Sequence, residues 1–325
     1  MFDRSVASAA TAVLFVSTML TLIGAQSPSS PAPRSILPRT PWGHPDLQGI
    51  WTTETLTPLE RPAALANKAV LTEEEAAELE RRTDASRADG PPREGDPGTY
   101  NRFWTEAGTR VVHDRRTSLI IDPPNGRIPW RAGRREESER VEASYGQGAF
   151  ASYTDLDTGE RCITDGPTLV PLQGYNMNFE IVQSPDHVVV VHEMFHQQAV
   201  IPLDGRPHIG NGLGQWLGDA RGHWEDNTLV VETTNFADVS NYRWARLWRS
   251  SRRTLRLVER FTRLDQNTID YRFTVEDPTM FVHTWTAAVP MTRIRGPVYE
   301  FACHEGNYSI RNMLSGARAR DSATR

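Results

Sequence analysis

"VVVVHEMFHQQAV", Val188 to Val200, joins four consecutive valines to the letters H-E-x-x-H. As a helix it would be a zinc site, because i,i+4 spacing brings His192 and His196 to about 6 Å with Glu193 between them to activate water. As a strand it cannot be one: at about 3.3 Å per residue the two imidazoles stand about 13 Å apart, and Glu193 turns to the opposite face. The valines, the following "AVIPLDG" and the polar "SPDH" upstream all favour a strand. A helix begun at Val188 would lack a good N-cap and run into Pro202. The strand reading puts His192, Met194, His196 and Gln198 on one face, where His196 becomes a candidate substrate contact. No metal is expected; His192, Glu193 and His196 are ligands of a zinc hydrolase only if the stretch is helical.

Working outward, the same texture repeats. "NFEIVQ-SPDH-VVVVHEMFHQQAVIP" reads as a hairpin turned at Ser184 to His187, "GDARGHW-EDN-TLVVETTNF" as a second and "LRLVERFTRLDQNTIDYRFTVEDP" as a third, with "TSLIIDPPNGRIP", "MFVHTWTAAVPM" and "VYEFACHE" as further strands. Short strands joined by tight polar turns predict a mainly β fold, an antiparallel meander closing into a lipocalin-like barrel or a sandwich over residues 117–325. Ahead of it, residues 46–116 form a helical and loop extension packing on the barrel. Leu47, Ile50 and Trp51 are its docking residues, and "LTEEEAAELERR" is a helix capped by Thr72 with Glu75 three positions on. "RAGRREESERVEASYG" is expected as a solvated insertion, and "NYRWARLWRSSRR" as a flap laying Trp244 and Trp248 on the barrel, or as a membrane-surface segment.

The chain of 325 residues is 38% hydrophobic, enough for a substantial core. A net charge of −5 without a long basic tract excludes a nucleic-acid partner. The apolar run Ala9–Ala25 behind Arg4 reads as a signal peptide over residues 1–25, with cleavage near Ala25, and an uncleaved anchor is its competitor. Six prolines between Ser27 and Pro45 make residues 26–45 an extended leader. Export to the periplasm or the medium follows, without stable membrane insertion after cleavage. In that oxidising compartment Cys162 and Cys303 are expected to pair. A homo-oligomer is left open.

If the meander closes, polar residues on inward strand faces need explaining. Asp219, Arg221 and His223 alternate along "GDARGHW" and can hold an imidazole beside a charged partner; a solvated outer face is the alternative. "FVHTWTAAV" sets His283 between Phe281 and Trp285, which suits a flat ligand or a core. "FACHEGNY" brings His304, Glu305 and Tyr308 beside Cys303. "GYNMNFE" offers Tyr175 and Asn178, and "YNRFWTEAGTRVVHDRR" offers Trp104. The catalytic candidates are thus His223, His283, His304, Tyr308, Arg221 and Asp219, with Tyr175, Asn178, His196, Trp285 and Trp104 as substrate contacts. No serine nucleophile elbow, phosphate loop, dinucleotide fingerprint or calcium loop occurs. What remains is cofactor-independent acid/base chemistry on a small molecule.

"PWGHPDLQGIW", "IPLDGRPH", "LGDARGHWEDNTLVVETTNF", "LRLVERFTRLDQNTIDYRFTVEDP" and "YEFACHEGNYSIRNMLSGAR" together resemble a large group of exported, β-rich bacterial proteins, most of them uncharacterised. Within that group the chain is similar to periplasmic lyases that release formaldehyde from lignin-derived phenylcoumarans. The resemblance implies an aromatic substrate, a base that takes a hydroxyl proton, ring-ether opening and carbon–carbon cleavage, with no redox cofactor. It transfers no catalytic motif. The alternative from another class is a lipocalin-like binding protein whose cavity histidines are polar lining.

Overall fold

In the computed structural model, residues 37–86, 108–146, 150–164, 166–172, 176–210, 212–237 and 253–323 are described. The expected signal peptide, Trp104, Tyr175 and the Trp244–Trp248 flap lie outside them. The elements run β1 (Gly49–Thr52), α1 (Glu73–Ser86), β2 (Ile120–Asp122), α2 (Arg134–Gly146), β3 (Phe179–Gln183), β4 (His187–His192), β5 (Gln198–Pro202), β6 (Asp219–Glu225), β7 (Thr228–Thr234), β8 (Arg256–Arg263), β9 (Thr268–Glu276), β10 (Trp285–Arg293) and α3 (Ser309–Ala323). All the strands join one antiparallel sheet in the order β5-β4-β3-β1-β10-β9-β8-β7-β6, with β2 paired to β10 off that path. The three expected hairpins are β3–β4, β6–β7 and β8–β9.

The sheet curls until its two ends meet, and the barrel is nearly closed. At the seam, β6 packs on β5 through Gly222, where a Cβ would stand 2.7 Å from both Ile201 Cγ2 and Leu203 Cδ2. Glycine is what permits this approach. Replacing Gly222 with alanine should cost about 1–3 kcal/mol through overpacking, read as a lower denaturation midpoint; an unchanged midpoint would mean the seam simply widens.

Strict alternation fills the interior. Leu257 and Phe261 from β8, Ile269, Tyr271, Phe273 and Val275 from β9, and Trp285, Ala287, Val289 and Met291 from β10 are all buried, as are Phe179 and Ile181 from β3 and Val188 and Val190 from β4. Trp285 sits edge-on to Phe273 and Phe281, with ring centroids 5.7 and 5.9 Å away. It belongs to the core. One barrel end is stopped by Arg263, 2% exposed, which donates to the carbonyls of Asp46 and Gln266 and lies over the Trp51 ring at 4.9 Å.

Four expectations need correction. The strand through Val188–Gln198 breaks after His192, where Glu193–Gln197 form a tight turn with a single 3-10 segment, Met194–His196, and β5 pairs back on β4 from Val191↔Gln198 to His187↔Pro202. HEMFH is therefore neither an α-helix nor a continuous strand. His192 is buried, His196 is exposed, and the helical pairing that zinc would need is not formed. Among the described residues no group of three or more His, Cys, Asp or Glu is placed to hold a metal. Second, β1 comes from the stretch expected as an extension yet is a barrel strand, paired to β3 on one edge and β10 on the other. Third, "VYEFACHE" is not a strand; it is irregular and leads into α3, while the charged insertion contains α2. Fourth, Phe281, His283 and Trp285 do not share a side: the backbone bends between Phe281, which bridges to Trp130, and the start of β10, leaving His283 exposed between two buried rings.

Helix α1 is capped as expected. Glu75 Oε2 accepts from the Thr72 amide at 2.8 Å, and Thr72 Oγ1 accepts from the Glu75 amide at 3.2 Å. Cys162 and Cys303 are disulfide-bonded. The bond ties the segment before α3 to the loop after Leu156, and Ala317 of α3 packs on Phe150 and Leu156. Among the described residues no helix is long and apolar enough to cross a membrane.

Candidate active site

The loop between β5 and β6 folds back on the end of β7. Asn235, in the left-handed region at φ 57°, donates its side-chain amide to the carbonyls of Ile209 and Gly210, both at 3.1 Å, and Gln215 bridges to Phe236 in parallel. These ties carry His208 to the outer face of β6. There Asp219, 6% exposed, accepts on Oδ2 from His208 Nδ1 at 3.0 Å and from the Ile209 amide at 2.9 Å, while Oδ1 lies 2.6 Å from Arg221 Nη1. An ionised carboxylate can only accept, so His208 presents Nδ1–H to Asp219 and turns its other nitrogen, Nε2, toward Glu232.

His208 Nε2 is 3.5 Å from Glu232 Oε1, too long for a firm hydrogen bond. Glu232 is engaged by Arg256, whose hydrogen bond is the main cause holding this carboxyl below its ordinary range, and Arg256 continues to Glu276 at 2.9 Å. Beside this chain of charges opens a groove of about 720 Å³, lined by His208, Leu213, Asn235, Phe236, Arg253 and Arg256 among others. It combines an oriented imidazole, two guanidinium groups and apolar wall.

Of the residues expected from sequence, Asp219 and Arg221 belong to this cluster, and the imidazole they hold is His208 rather than His223. His223 shares their strand face but points to solvent and pairs with Glu225 at 3.1 Å. The row faces outward because Ala220, Gly222 and Trp224 take the inward positions of β6. His283 is exposed with Nδ1 2.7 Å from the Thr284 carbonyl. His304 and Tyr308 are exposed in the stapled segment, and His196 faces Glu300 at 4.0 Å. Asn178 is buried, with its backbone carbonyl accepting from the Glu193 amide. The structure does not gather these into one site.

A second cluster lies inside the barrel. Glu259 of β8, fully buried, accepts on Oε1 from Tyr271 Oη at 2.6 Å and from the Leu169 amide at 2.7 Å. His192 of β4 has Nε2 2.6 Å from the Leu169 carbonyl. Burial pushes Glu259 up to about 7, takes the Tyr271 hydroxyl well above its ordinary value and drives His192 down to about 4. The signal for Glu259 is visible in "LRLVERFTR", where Glu259 and Arg263 stand in phase with Leu257 and Phe261 on an otherwise apolar face. His208 leaves no such trace, because "GRPH" is loop and its partners are set by tertiary structure.

Compared with protein-family models, curated proteins and solved structures, the chain matches none.

Proposed function

We propose that this chain is an exported enzyme, periplasmic or secreted, that moves protons on a small aromatic molecule: a cofactor-independent lyase or isomerase with His208 as its base. The observation that carries the reading is the His208–Asp219 pair set at a groove that two arginines also line. Asp219 fixes the tautomer and steadies the imidazolium formed when Nε2 takes a substrate proton. Arg253 at the groove wall supplies positive charge for the oxyanion that proton loss leaves behind, while Arg256 is held by Glu232 and Glu276, and Leu213 and Phe236 give a ring an apolar wall. The apolar run Ala9–Ala25 and the disulfide support export.

The test offers the purified chain lignin-type phenylcoumaran dimers and follows formaldehyde and stilbene. Turnover should fall by about a hundredfold or more in His208→Gln, with Asp219→Asn lowered in the same direction. Full turnover in His208→Gln would remove His208 as the base. Tight retention of the dimer with no product would make the chain a binding protein.

A further inference from the structure

The side chain of Arg161 reaches from the disulfide to the loop that builds the groove. Arg161 directly precedes Cys162, and its guanidinium lies 5.5 Å from the ring centroids of both Tyr153 and Trp216. It makes no ion pair or side-chain hydrogen bond among the described residues, so these two rings are its partners. Tyr153 belongs to the stapled part of the molecule, whereas Trp216 belongs to the loop between β5 and β6, whose Gly212, Leu213 and Gly214 line the groove. Beside Trp216, the Gln215 amide donates to the Asn235 carbonyl at 2.8 Å and the Gln215 carbonyl accepts from the Ala237 amide at 2.7 Å. The place of Trp216 is thus passed to the groove wall through a few residues of tied backbone.

Arg161 is itself aimed by its neighbour. Cys162 stands in the left-handed region at φ 54°, a costly conformation for a residue with a Cβ. Residues 157–163 wind into tight turns, with the Arg161 amide donating to the Asp157 carbonyl at 3.2 Å, the Cys162 amide to Gly159 at 2.9 Å and the Ile163 amide to Thr158 at 2.8 Å. From outside these turns the bond to Cys303 fixes Cys162 against the segment that leads into α3. The covalent clasp therefore sits one residue from the guanidinium that touches the groove loop.

We infer, on the reading of the His208 groove as the reacting site, that Arg161 is a positioning residue coupling the Cys162–Cys303 bond to that groove, so that the loop carrying Trp216 is set for substrate only in the oxidised chain. In the reduced chain Cys162 loses its tether, its backbone relaxes from the left-handed region, and the guanidinium leaves its two rings. A chain made in a reducing compartment is then idle. It becomes competent on export, when a disulfide oxidant takes two electrons and two protons from the two thiols and is itself reduced to a dithiol.

The experiment follows backbone hydrogen exchange by mass spectrometry in the purified oxidised chain and in the same chain reduced by dithiothreitol without denaturant. Exchange across residues 212–218 should rise about fivefold on reduction and by about the same factor in oxidised Arg161→Ala, with β8 and β9 unchanged in both. Arg161→Lys, which keeps a cation over the rings, should stay within about twofold of the unmodified protein. Reducing Arg161→Ala should add nothing at residues 212–218. Unchanged exchange there in oxidised Arg161→Ala would overturn the coupling, as would a further rise when that variant is reduced. A rise on reduction that extends equally through β8 and β9 would overturn the switch, because the loss is then global. Turnover of the phenylcoumaran dimer should fall in the same pattern. If no form turns the dimer over while exchange responds as stated, the lyase reading fails and the coupling stands.

Discussion

Replacing Glu259 with glutamine should change how stability depends on pH, not merely its level. The group's ordinary value of 4.5 is raised to about 7 in the fold, so its favourable contribution is complete below pH 4.5 and is lost as pH rises through 7. His192 does the opposite. Its ordinary value of 6.5 falls to about 4, so its contribution is complete above pH 6.5 and is lost as pH falls through 4. Each is worth about 3 kcal/mol over its window at 1.36 kcal/mol per pH unit. Between pH 4.5 and 6.5 the two slopes have opposite sign and nearly cancel. Relative to the unmodified protein, Glu259→Gln should therefore gain about 3 kcal/mol from pH 4.5 to 7, and His192→Gln should lose about as much from pH 4 to 6.5. Urea denaturation across pH 4 to 8 reads both. Curves parallel to the unmodified protein would show that neither group is desolvated as described.

Removing the disulfide should have an effect of similar size. Cys162 and Cys303 are 141 residues apart, and all strands from β3 to β10 lie in the loop they close. For so long a loop the chain-entropy argument gives about 5 kcal/mol, and measured losses for native bridges run from about 2 to 5. Cys162→Ser with Cys303→Ser, or reduction by thiol, should lower the melting temperature by roughly 10 °C. The local reporter is the edge-on contact of Phe195 with Phe301, which joins the HEMFH turn to the stapled segment. An unchanged melting temperature would mean that the C-terminal segment holds its place by packing alone.

The hairpins were legible because their turns announce themselves: Ser-Pro-Asp at 184–186, Asp-Asn at 226–227 and the polar stretch around Asp265–Asn267 all interrupt alternating apolar runs. The turn inside HEMFH did not. Its left-handed residues are Phe195 and His196, at φ 58° and 51°, where glycine or asparagine would have marked the reversal. The place of β1 was hidden for a different reason, since four residues carry no record of two partners more than a hundred residues downstream. Likewise the Asp-Arg-His row on β6 signalled a place for an imidazole but not which imidazole, because His208 arrives from a loop held by Asn235. Glu259 was legible in principle. A carboxylate in phase with leucine and phenylalanine is a polar group on a buried face.

The position of β1 also sets the order in which the molecule can be completed. Trp51 pairs with Phe179 on one side and with Arg293 on the other, so a strand made early waits for one made near the end. Until residue 293 has emerged, the segments on either side of β1 are two open meanders with unsatisfied edges, and no closed barrel exists for a chain still being synthesised. Contacts of such sequence separation make closure a slow, late event. A chain of this design spends its early life open, and is most exposed to mispairing with other chains before its last strand is in place.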